Sequence, residues 1–281
     1  MTEYSDGVFI NAYQKYEGVE SMRVGPAQLW PDVAPQWILN LPKGLEEFCY
    51  DLYKSFIYDN RYEMYVEGLG NTLLLTAMAT LMGIVLGVII ALLRATWDKN
   101  GHAMHGVSKA ALRIVNAFCN IYLTVIRGTP VLVQLMIWYF VVFASSRNGL
   151  MIAAFAFGIN SGAYVAEIIR SGIMAVDAGQ MEAGRSLGFG YVATMRHIIL
   201  PQAFKAVLPA LANEFIVLLK ETSVASFVSV ADLTYAGNII GGNSYDYLFP
   251  LLMTAVIYLA LVMFFTHLVG KLERRLRNSE R

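Results

Sequence analysis

Between Asn71 and Leu93 the chain runs for 23 residues without a single Asp, Glu, Lys or Arg. A helix rises ~1.5 Å per residue and the hydrocarbon core of a bilayer is ~30 Å thick, so about 20 such residues suffice to cross it. A run of this kind constrains the chain to a membrane or to an unusually large core. Composition decides between them: of 281 residues, 57% are apolar and 15% charged, against roughly 45–50% and about 25% in soluble domains. This excludes a disordered chain and a basic nucleic-acid binder, and argues against a water-soluble enzyme. The fold class expected is an all-α membrane protein, a five-span helical bundle.

The spans read as about 71–93, 130–146, 149–170, 203–222 and 247–270. The fourth has a short apolar core, Ala206–Leu219, that carries Asn213 and Glu214. Ile114–Ile126, bounded by Arg113 and Arg127, reads as too short to span, and is expected as an interfacial helix leading into the second span. Residues 94–128 carry Arg94, Lys99, Lys109, Arg113 and Arg127 against Asp98, and the end of the chain carries Lys271, Arg274, Arg275, Arg277 and Arg281. Glu221–Phe249 has no Lys or Arg. By the positive-inside rule the N-terminus is expected outside and the C-terminus in the cytoplasm.

The formal net charge of zero hides an asymmetry: residues 1–68 carry −6 and residues 69–281 carry +6. Residues 1–68 are therefore expected as an acidic extracytoplasmic tail, and the first 25 show no signal peptide. Within the tail, Leu45, Phe48, Cys49, Leu52, Phe56 and Ile57 recur at helical spacing. Such a helix either lies flat on the outer leaflet, with Trp30 and Trp37 as anchors, or packs on the spans.

Chemistry-bearing motifs are sparse. There is no GxxxxGK[ST] to cradle nucleotide phosphates and no HExxH, and the four histidines and two cysteines match no metal spacing, so no cofactor or metal is expected in this chain. Gly83/Gly87 and Gly158/Gly162 are small residues at i,i+4, a signal for close helix approach. Intramembrane polar residues carry more information, because charge in a bilayer is costly unless it faces a cavity or a partner. Glu167 and Arg170, at i,i+3, read as an intramembrane ion pair; Asn213 and Glu214 read either as structural partners or as the wall of a polar solute path.

Residues 182–203 (EAGRSLGFGYVATMRHIILPQA) form the most specific stretch. A helix over 182–187 is expected to be stopped by Gly188, which tolerates positive φ, and a second short helix leads to Pro201 at the start of the fourth span. Two short helices about a glycine turn make a projection suited to docking in a groove of another protein.

This stretch resembles the EAA motif of ABC-importer permeases: Glu182, Ala183, Gly188, Ile198, Leu200 and Pro201 fall at its spacings, and Gly184 stands where the pattern has Ala. IRGTPVLVQL (126–135), GAYVAEIIRSGI (162–173), LPQAFKAVLPALANEF (200–215) and LLKETSVAS (218–226) resemble the polar amino-acid branch of these permeases. The resemblance implies a type I ABC-importer permease in a prokaryotic inner membrane, dimerising with an identical or sister permease. It implies a cytosolic ATP-binding subunit that holds the ATP and Mg, an extracytoplasmic substrate-binding protein and a polar amino acid as solute. Glu182, Ala183, Gly184, Gly188, Leu200 and Pro201 would then couple to the ATPase through a loop at 177–201, and Gln134, Asn160, Ser161, Tyr164, Asn213 and Glu214 are the candidate substrate path. An ion-coupled secondary transporter using Glu167, Glu214 or Lys220 is the alternative, disfavoured by the lack of an inverted repeat with paired broken helices.

Overall fold

The computed structural model of the chain describes residues 34–101, 104–146 and 148–278. The expectations placed on Trp30, on the first 33 residues of the tail, on His102 and on Arg281 lie outside these. Every regular element among the described residues is helical. By internal contacts they fall into two units, one of 34–66 with 236–255 and one of 67–235 with 256–278.

In the first unit, α1 (Gln36–Leu39) and α2 (Lys43–Phe56) enclose a small core of Ala34, Ile38 and Tyr50. The expected apolar stripe of α2 is helical, and Leu45, Phe48 and Leu52 on it remain exposed, as does Trp37. Phe48 meets Phe249 edge to face at 5.5 Å, and Lys54 Nζ donates to the Ser244 carbonyl at 2.9 Å.

The second unit is built around α6 (Gly149–Ala175), the most deeply buried of the long helices. It packs beside α3 (Arg61–Asn100), which contains the charge-free run, and α9 (Leu200–Glu221). The two small-residue pairs, read from the sequence only as a signal for close approach, lie where α3 and α6 meet. A Cβ at Gly83 would lie 3.0 Å from Ser161 Cβ, and one at Gly162 3.0 Å from Leu86 Cβ. Without side chains at these points the backbones approach closely, and dispersion replaces the hydrophobic drive that lipid does not supply. Three apolar clusters follow along α6: Leu75, Leu135 and Phe157; Ile90, Leu123 and Ala163; and Ala95, Ile173 and Ile199.

Among the described residues, five helical stretches are long and apolar enough to cross a membrane: Tyr58–Lys99, Gly106–Gly128, Gly149–Ala175, Tyr191–Val228 and Leu248–Leu276. The second corrects the sequence reading. The residues over 114–126 belong to a 23-residue helix, α4 (Gly106–Gly128), and the stretch expected as the span, 130–146, holds only a short apolar helix over Val131–Val142. That piece is α5 (Val131–Ile137), continued as a π-helical turn through Val142. The break lies at Thr129 (φ −122°, ψ 146°) and Pro130 (φ −63°, ψ 135°). Proline forces the residue before it out of the α region and lacks the N–H that would continue the helix. Reading Arg113 and Arg127 as limits of an apolar segment hid a helix that contains both.

The remaining elements are α7 (Ala178–Ser186), α8 (Tyr191–Thr194) with a π-turn over Met195–Ile199, α10 (Leu233–Ser244) and α11 (Leu248–Asn278).

Candidate functional site

The projection between α6 and α9 is built from local rules. Asp177 caps α7, its Oδ1 accepting from the Gly179 N–H at 2.6 Å. At the other end Phe189 N–H donates to the Gly184 carbonyl at 3.0 Å and Gly188 N–H to the Arg185 carbonyl at 2.9 Å. With Gly188 at φ +83° this is a Schellman stop, available to glycine because it has no Cβ to clash. Sequence reasoning located this turn; the helix before it begins earlier, at Ala178. Met181, Tyr191, Met195 and Ile199 hold the underside of the projection against Ile173 and Ala203. Its tip is apolar and open: Leu187 is 74% exposed and Val192 75%, with Phe189 beside them. Glu182, Ala183 and Pro201 are exposed, Leu200 is half-buried and Gly184 is buried.

The candidate path residues separate into groups. Gln134 and Asn160 are both buried, and Asn160 Nδ2 donates to Gln134 Oε1 at 3.2 Å. Gln134 Nε2 in turn donates to the Ile126 carbonyl at 2.8 Å and the Thr129 carbonyl at 3.0 Å. The side chain thus satisfies the backbone groups freed where α4 breaks, as a broken helix in a membrane requires. Next on α6, Ser161 Oγ donates to Glu214 Oε1 at 3.1 Å. Glu214 is half-buried, and no cation among the described residues is within salt-bridge distance of it. Asn213 is exposed, and none of the hydrogen bonds of this group involves it. Tyr164 lies one turn beyond Ser161, with the Arg127 guanidinium 5.5 Å from its ring centroid.

Glu167 and Arg170 do pair, within a wider network. Arg94 reaches Glu167 at 3.2 Å and Arg170 reaches Asp98 at 3.2 Å, tying α3 to α6. Arg94 and Asp98 entered the sequence argument only as topological charges. Their i,i+4 spacing at one end of an apolar helix was the available signal.

Buried polar pairs inside a bundle of membrane-length helices, with an apolar-tipped projection between α6 and α9, fit a membrane transport subunit. The family described as binding-protein-dependent transport system inner membrane component matches residues 105–278. A Rickettsia bellii protein named as a glutamine transport system permease, GlnP, is 37% identical over 214 residues, covering 75% of this chain and 92% of the relative. The Bacillus subtilis arginine transport system permease protein ArtQ is 34% identical over 218 residues, covering 76% and 93%. Among solved structures, a crystal structure of an amino acid ABC transporter with histidines aligns with a TM-score of 0.67 at 41% identity, over 76% of this chain and 94% of that one. An inward-facing MetNI methionine ABC transporter aligns at 0.65 with 20% identity, over 78% and 99%, a likeness of fold alone.

The chain belongs to the family of inner-membrane components of binding-protein-dependent transport systems. It is a multi-pass membrane protein with the type I ABC-importer permease fold, and it serves as a permease subunit.

Proposed function

We propose that this subunit carries polar amino acids across the inner membrane by alternating access, driven by a separate cytosolic ATPase that docks on the 177–199 projection. An extracytoplasmic binding protein delivers the solute, and a second permease, identical or sister, completes the pathway. The N-terminus faces outside and the C-terminus the cytoplasm, in agreement with the clustering of Lys and Arg. ATPase closure pulls on the projections and rocks the bundle as a rigid body. Glu182, Ala183, Gly184 and Gly188 shape the docking surface, and Leu200 and Pro201 pass its movement to α9. Solute passes Gln134, Asn160, Ser161, Tyr164, Asn213 and Glu214, with the Glu214 carboxylate receiving its ammonium group.

The observation that carries this reading is the projection itself, a capped helix pair stopped at Gly188 and tipped by exposed Leu187 and Val192. The polar amino-acid class is supported by the names of the relatives that match over three-quarters of the chain. The test uses proteoliposomes holding the permease with its ATPase and binding protein. Uptake of L-glutamine or L-arginine is expected to require ATP and to stop with vanadate but not with an ionophore. Gly188→Asp has open space for its side chain but strains the turn and places charge on the tip. It is expected to insert normally and hydrolyse ATP without import. Undiminished import by that variant rules out the docking role.

A further inference from the structure

Beyond the predicted path residues, a cleft of about 450 Å³ opens between α3, α4 and α6, lined by Arg94, Asn120, Thr124, Arg127 and Glu167. Asn120, Thr124 and Arg127 recur at i, i+4 and i+7, forming a polar stripe on a helix long and apolar enough to span a membrane. The neighbouring face of α4 is apolar and exposed through Ile114, Phe118, Ile121 and Val125. A polar stripe on such a helix normally faces protein or a water-filled cavity. Two buried polar atoms, Arg94 Nε in the lining and Asn116 Oδ1 four residues before Asn120 on α4, have no hydrogen-bond partner among the described residues.

The charges in this cleft do not balance. Of the charged residues that line it, Arg94 and Arg127 stand against Glu167 alone, two cations against one anion. Glu167 is already held by Arg94 and Arg170, and no carboxylate among the described residues is within salt-bridge distance of Arg127. The Arg127 guanidinium lies instead 5.5 Å from the Tyr164 ring centroid, a ring contact of the kind that leaves the N–H edge of a guanidinium available to an anion. Its neighbour in the bundle is the opposite case: Glu214, on Ser161, is an anion without a cation. Ser161 and Tyr164 are one helical turn apart, about 4.5 Å of rise.

We infer that Arg127 is the carboxylate-binding residue of the transport path. It takes the α-carboxylate of the solute in the bidentate geometry that suits a guanidinium, while the ammonium lies toward Glu214. Thr124 and Asn120 continue the hydrogen-bonding wall along α4, and Arg127 lies two residues before the break at Thr129–Pro130. This rests on the amino-acid reading above and adds to it a specificity: an α-carboxylate is required at this step.

The test is uptake of L-glutamine and L-arginine by the full transporter in proteoliposomes, comparing wild type with Arg127→Gln. At least a tenfold loss of uptake is expected, with basal ATP hydrolysis and assembly retained. Uptake within twofold of wild type overturns the inference while leaving the function intact. Wild-type vesicles that accumulate neither amino acid remove the functional reading, and this inference with it. A second measurement needs no variant. Labelling of Arg127 by phenylglyoxal in the solubilised permease–ATPase complex, read by peptide mass spectrometry, should fall at least threefold with saturating L-arginine or L-glutamine. Their decarboxylated amines should give no protection. Equal labelling with and without the amino acids, or equal protection by the amines, also overturns the inference.

Discussion

Gly184 and Thr194 meet across the projection between α6 and α9 at a distance that leaves no room for a methyl group: a Cβ at 184 would lie 2.5 Å from Thr194 Cγ2 and 2.8 Å from Oγ1. Thr194 is fully buried and its hydroxyl donates to the Gly190 carbonyl at 3.1 Å, so its rotamer is fixed from the other side. The residue that departs from the EAA pattern is therefore the one that lets α7 close on α8.

Restoring the pattern should consequently do harm. Gly184→Ala must push apart two packed helices or displace a β-branched side chain, which costs about 1–3 kcal/mol. Thr194→Ala in the same background should recover most of that loss, because the two sites share one contact. Thermal unfolding of the solubilised permease–ATPase complex across the four variants checks this. Strictly additive effects would mean that the contact is not what positions the projection.

The second prediction concerns the break in α4. Gln134 is buried, and its amide serves two carbonyls at the end of α4 and receives Asn160 on the other side. Gln134→Leu keeps the volume but strands these groups where water cannot reach them. A buried unsatisfied group costs about 1–3 kcal/mol, so a clear fall in thermal stability is expected, and import should fall with it as the break loosens. A Leu variant as stable as wild type would show that the break is held by Pro130 alone.

The elements legible in the sequence were those fixed by local chemistry. The charge-free run of α3, the glycine stop at 188 and the small-residue pairs at i,i+4 each depend on residues within a turn or two, and each is found in the fold. The second span was misread because its helix carries Arg113, Asn116, Asn120 and Arg127, and hydropathy alone cannot tell a charge that ends a span from one that lines a cleft. Side-chain partnerships were the least legible. Arg94 with Glu167, Ser161 with Glu214 and Gln134 with the α4 carbonyls depend on helix rotation and crossing, and so does the exposure of Asn213 beside the half-buried Glu214.

The last prediction follows from Asp232, which precedes α10 in the segment between the fourth and fifth spans. Its side chain is fully buried; Oδ1 accepts from the Tyr235 N–H at 2.8 Å, and Oδ2 has no hydrogen-bond partner among the described residues. Burial pushes its pKa up to about 7, the hydrogen bonds opposing this only in part. The unfolded chain releases this proton near pH 4. Between those limits the folded state holds a proton that the unfolded state has lost. The associated stability is therefore complete below about pH 4 and is lost as pH rises through 7. Asp232→Asn keeps an acceptor for the Tyr235 N–H and cannot ionise. At pH 8 the variant should unfold at a higher temperature than wild type, and the difference should shrink toward zero at pH 5. Thermal unfolding of the solubilised complex at the two pH values decides it. A variant equally destabilised at both would mean that the cap needs a carboxylate, whatever its charge.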